Sequence, residues 1–172
     1  AYDTVIRYLK ARQQADSLSY SQQYKLAFSY LKEAQYKPAS AAFQVLPVQE
    51  DSLGQQVAYH LAEAYVQLKA NAKARNLFEF ASSLSFDTAI QEQAAFRYAK
   101  LSYDEGYQKT AKARLQAFIQ KYPESAYIDE AQNLLGDLLL NTKNYQQALS
   151  IIEQVPDMNT KMQKAYQQIA YQ

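Results

Sequence analysis

The chain has 172 residues, 48% hydrophobic and 20% charged, with 18 basic and 17 acidic side chains for a formal charge of +1. That is the balance of an ordinary folded domain, and it excludes the basic footprint that would hold a phosphate backbone, so nucleic acid is not an expected partner. There are no cysteines, which excludes disulfides, thiolate metal sites and cysteine nucleophiles.

The three glycines and four prolines are too few for the turns of an all-β protein. Long Ala-, Leu-, Gln-, Lys- and Glu-rich stretches predict helices instead. No apolar run approaches the roughly 18 residues of a membrane span, so no direct membrane insertion is expected. In chain order the spacing predicts helices over 2–14, 17–33, 36–46, 52–69, 71–84, 87–105, 108–121, 125–141, 144–154 and 158–171. Pro38 sits in the first turn of the third, where its missing N–H costs nothing, and Pro47 stops it. Asp51-Ser52 and Asp87-Thr88 open the fourth and sixth as capping candidates. Pro123 ends the seventh at Tyr122. Ser125 is the expected N-cap of the eighth, with Glu124 near its positive end. Pro156 stops the ninth.

The chain repeats itself. Tyr2-x-x-Val5, Tyr36-x-x-Ala39 and Tyr145-x-x-Ala148 are copies of one phrase, with Asn71-x-x-Ala74 and Gln108-x-x-Ala111 between them. The small positions 5, 39, 74, 111 and 148 recur every 34 to 37 residues. Four residues after each lies Leu9, Phe43, Phe78, Leu115 or Ile152. A second grouping falls between the copies: Leu26-Ala27, Leu61-Ala62, Tyr98-Ala99, Leu135-Gly136 and Ile169-Ala170. Tyr30, Tyr65 and Leu139 follow three later; the third copy has Ser102 there, with Tyr103 expected to serve instead. These are the two helices of a hairpin. In the first helix a small residue is expected to admit the second closely, and the second helix's alanine does the reverse. A lone hairpin leaves a face uncovered, so hairpins stack.

The period and grouping resemble the tetratricopeptide repeat, through Leu135-Gly136, Leu139, Tyr145, Ala148 and Ile152 and weaker copies elsewhere. The tryptophan usual in that repeat is missing; Gln23, Ala58, Ala95 and Gln132 stand in its place. The resemblance implies an all-α, right-handed α-solenoid (superhelix) of antiparallel helix pairs, about ten helices in one domain. Half-repeats would occupy 1–15 and 158–172, with repeats at 16–50, 51–86, 87–123 and 124–157. Starting in a second helix and ending in a first, the chain reads as a fragment of a longer array. The linker 118–136 (FIQKYPESAYIDEAQNLLG) is similar to those of bacterial cell-envelope repeat proteins such as the TolA-binding protein and the outer-membrane assembly lipoprotein. That implies a periplasmic or envelope setting, with a cytoplasmic one as the alternative.

Little points to catalysis. His60 is the only histidine, and a lone imidazole makes neither a metal site nor a nucleophile–base arrangement; a surface or packing role is expected. The glycines are isolated, with no phosphate-cradling loop. Glu130 with Asp137, or Glu92 with Glu63, do not stand out from solvated helix faces. No cofactor or metal is expected, and no enzymatic activity. The first helices of such superhelices line the concave face. Here that stripe comprises Tyr24, Phe28, Tyr59, Glu63, Phe96, Lys100, Tyr103 and Asp137. Two readings of its aromatics stay open: contacts to an extended peptide, or core between neighbouring helices. A clamp for a C-terminal carboxylate is disfavoured, because Tyr24, Phe28 and His60 occupy the places where cationic or amide donors would stand, and only Arg97 fits. The expected function is a non-enzymatic scaffold binding a protein or peptide segment. The alternative is a helical accessory domain of a larger envelope enzyme or assembly machine.

Overall fold

A computed structural model describes residues 1–15, 17–141 and 144–172. The described residues form ten α-helices and no strand: α1 (Tyr2–Ala15), α2 (Tyr20–Lys32), α3 (Tyr36–Gln44), α4 (Ser52–Gln67), α5 (Asn71–Ser83), α6 (Thr88–Asp104), α7 (Gln108–Lys121), α8 (Ile128–Leu140), α9 (Tyr145–Ile152) and α10 (Thr160–Ala170). Each falls inside its expected span to within a few residues. The chain divides into two compact units, Ala1–Ala94 and Ala95–Gln172.

In the first unit, α1 packs on α2, α2 on α3, α3 on α4 and α4 on α5, and the first helices α2 and α4 also touch. Ala39 and Ala74 are wholly buried, and Phe43 and Phe78 one turn later are buried with them. The alanine lets two helix backbones approach, and the large residue fills the space beside the crossing. Ile6, Leu9, Leu18, Leu26 and Tyr30 form one core cluster with Ala39 and Ala64. In the second unit α8 packs on α7, α9 and α10. Ala111, Leu115, Ala148 and Ile152 repeat the pattern there.

Side-chain caps set five of the ten helix starts among the described residues. Asp51 accepts from the Gly54 amide at 2.6 Å and Asp87 from the Ile90 amide at 3.0 Å, as expected of N-caps. Ser19 starts α2 through a full capping box with Gln22, which moves that start three residues past the expected 17. Asn144 and Asn159 cap α9 and α10. Ser125 does not cap α8. Its hydroxyl accepts from the Tyr127 amide at 3.1 Å and its carbonyl from Ile128, so it closes a turn that delays the helix to Ile128.

Two further expectations change. Ser102, not Tyr103, takes the buried place in α6: it is fully buried, its hydroxyl donating to the Tyr98 carbonyl at 2.8 Å. At Gly136 the nearest atoms to a Cβ would be Ala165 Cβ at 3.7 Å and Met162 Sδ at 3.8 Å. The small residue of this first helix thus faces the following first helix, α10, rather than its own partner α9.

Candidate functional site

In the first unit, α2 and α4 place Tyr24, Phe28, Tyr59, His60 and Glu63 beside one another. Tyr24 and Phe28 are one turn apart on α2 and both half-buried, their rings near parallel (15°) with centroids 6.1 Å apart. The His60 ring meets Phe28 edge-on at 4.9 Å and lies 6.3 Å from Tyr24, 6.2 Å from Phe43 and 5.2 Å from Tyr59. Its Nδ1 is 2.8 Å from Glu63 Oε2, one turn on. The Tyr2 ring stands edge-on to Phe28 at 6.1 Å. The Lys32 ammonium sits 4.9 Å from the Phe28 ring centroid, a cation over a π face. Burial, and then the Glu63 charge, push the Tyr24 phenol up to about 12, so it stays neutral here.

Tyr59 is different. It is 5% exposed, its hydroxyl donates to Gln93 Oε1 at 2.7 Å, and its ring packs edge-on against Phe78. In the second unit Phe96 is 2% exposed, stacked on Tyr127 at 4.6 Å and tilted against Phe118 at 5.5 Å. Both rings are thus buried in the packing of their own units. Tyr103 is half-buried. Lys100 donates to Glu130 and Lys161 donates to Asp137 at 2.8 Å, so both charges of the second unit's stripe are engaged across neighbouring first helices. α6 is thereby tied to α8, and α8 to α10, by one ion pair each.

Two buried glutamines escaped the sequence reading. Gln55 is fully buried on α4; its amide donates to the carbonyls of Ala81, Leu84 and Asp87, and its Oε1 accepts from the Asp87 amide at 2.8 Å. Gln132 does the same on α8: its amide donates to the Pro156 and Asp157 carbonyls, and its Oε1 accepts from the Asn159 amide at 2.7 Å. Each therefore grips the linker between a second helix and the N-cap of the next first helix. The one signal in the sequence was Gln132 standing where the repeat's tryptophan is usual; Gln55, a turn earlier in its helix, carries none.

Among the described residues no group of three or more His, Asp or Glu could hold a metal ion, and no helix is long and apolar enough to cross a membrane. What the geometry offers is a surface: half-exposed rings and one carboxylate on adjacent first helices. The fold that carries it is an all-α array of helix hairpins of the tetratricopeptide type.

Comparison with known proteins agrees on that class. Residues 93–125 match the tetratricopeptide repeat family. The crystal structure of MamA superposes with a TM-score of 0.69 at 16% identity, over 99% of this chain and 92% of that one. A kinesin light chain candidate of Podosopora anserina, with nearly identical TPR-like repeats, superposes at 0.63 with 16% identity, over 99% of this chain and 89% of that one. A point variant of the latter gives 0.64 at 18% identity, over 95% and 89%. At these identities the likeness is one of fold. No curated protein sequence matches the chain.

Proposed function

We propose that this chain is built of tetratricopeptide repeats throughout and is a non-enzymatic scaffold that takes a protein segment on the first-helix face of its first unit. The observation that carries the reading is the surface made by Tyr24, Phe28, His60 and Glu63 on α2 and α4. Its Tyr24 and Phe28 rings stay half-exposed, while Tyr59 and Phe96, which hold the place of Tyr24 in later first helices, are buried. Rings of this kind offer large contact area at small entropic cost. Capture from a display library of unstructured peptides tests it. Phe28→Ala is expected to lose the selected peptides while its helical circular dichroism and melting stay close to the parent's. Equal capture by parent and variant would sink the proposal.

We also infer a bacterial cell-envelope location. The support is the linker 118–136, with its Lys-Tyr-Pro, Glu-Ala and Leu-Gly groupings. Fractionation of the source cells checks it: recovery with the periplasm or envelope is expected, and recovery with the cytosol would overturn it.

A further inference from the structure

The surface on α2 and α4 has a chemical preference. Phe28 is half-exposed and presents a ring face, the negative side of its quadrupole. Phe28 already carries an ammonium, that of Lys32, at 4.9 Å. Lys32 is exposed and reaches Phe28 from one turn further along the same helix on a flexible stem, so the chain holds its own stand-in for a cationic guest. Beside the rings stands Glu63, half-exposed. A carboxylate has about four lone-pair positions, and His60 Nδ1 takes one of them, on Oε2. Its charge acts on this surface, since it adds to the raising of the Tyr24 phenol. An acidic guest would be repelled by Glu63. A purely apolar guest would strip water from that carboxylate without replacing it. A planar guanidinium answers both features, because it stacks on a ring and forks onto a carboxylate, and it is less strongly hydrated than an ammonium.

We propose that Tyr24, Phe28, His60 and Glu63 form a subsite for an arginine side chain of an extended partner segment, its guanidinium displacing Lys32 from the Phe28 face and reaching Glu63. The proposal rests on the scaffold reading above and adds the chemistry of what the scaffold holds.

The test uses the whole chain and fluorescein-labelled ten-residue peptide pools, read by anisotropy. The pools are mixed at every position but one, where they carry arginine, its uncharged isostere citrulline, lysine, phenylalanine or glutamate. The arginine pool is expected to bind about 10-fold tighter than the citrulline pool. Glu63→Gln, which keeps an acceptor for His60, is expected to erase that difference with an unchanged melt. Lys32→Gln removes the competing cation and is expected to tighten the arginine pool roughly 2- to 5-fold. Binding of all pools alike, preference for phenylalanine or glutamate, or an arginine preference that survives Glu63→Gln would overturn this inference and leave the scaffold reading standing. Lysine binding as tightly as arginine would overturn the guanidinium assignment. Failure of every pool to bind would overturn both.

Discussion

Ala34, Lys69 and Gly106 occupy one turn in three successive repeats, with φ of 55°, 60° and 79°. The residue after each closes the turn by donating back to the helix: Gln35 to Tyr30 at 2.9 Å, Ala70 to Tyr65 at 2.9 Å, Tyr107 to Ser102 at 2.8 Å. This is the left-handed helix ending that glycine suits. A residue with a Cβ pays about 1–2 kcal/mol there. Lys69→Gly is therefore expected to stabilise the protein by about 1 kcal/mol and Gly106→Ala to destabilise it by a similar amount. A Cβ at Gly106 would meet nothing within 4 Å, so its effect is purely one of backbone. Urea melts check both. Tyr24 gives a prediction in pH. Its phenol rises from 10.0 to about 12 on folding, so the folded state holds the proton where the unfolded state has lost it. The stabilisation is complete below the unfolded value and drains away as pH climbs from 10.0 towards 12. Tyr24→Phe is expected to flatten that part of the stability–pH curve, measured by denaturant melts across the alkaline range.

The helices were legible because their punctuation is local. Asp51, Asp87, Pro38 and Pro156 act on residues within one turn, and chain order alone displays them. Ser125 misled for the same reason: a serine after a proline reads as a cap, and only the fold reveals that its hydroxyl serves a preceding turn. Depth was not legible. Tyr24 and Tyr59 share a stripe by spacing, yet one is half-exposed and the other buried, because the depth depends on Phe78 and Gln93, far along the chain. The ion pairs Lys100–Glu130 and Asp137–Lys161 likewise join residues with no sequence signal linking them. Gln132 is the element-scale case to test. Replacing it with leucine would remove the buried side-chain partner of the Asn159 amide and of the Pro156 and Asp157 carbonyls. Each such hydrogen bond lost costs about 0.5–1.5 kcal/mol net. Gln132→Leu is expected to lower the melting midpoint clearly, whereas the exposed Gln163→Leu on α10, whose amide only reaches the Met158 carbonyl, should change it little.

At the scale of the molecule, each unit has a core of its own. Ile6, Leu9, Leu26 and Tyr30 belong to one; Leu115, Leu135, Ile152 and Met162 belong to the other. In stacked repeats stability is approximately a sum of local units and the contacts between neighbours. A core truncation should therefore be felt first near its own site. Ile152→Ala is expected to cost about 2–5 kcal/mol and to speed amide exchange in α8–α10 more than in α2–α4. Uniform acceleration along the chain, followed by mass spectrometry, would instead show that the whole array opens as one cooperative body.

Gln55 and Gln132 hold their linkers through main-chain atoms: three carbonyls and an amide in one case, two carbonyls and an amide in the other. Every residue except proline carries both groups. The glutamine grip itself does not depend on the side chains of the linkers 84–87 and 156–159, but a single inserted or deleted residue would shift the amide and carbonyls out of reach together. Apart from the N-caps Asp87 and Asn159, the spelling of these linkers is free to drift while their length is fixed, so repeats can be cut and rejoined there as interchangeable modules only if the residue count is kept.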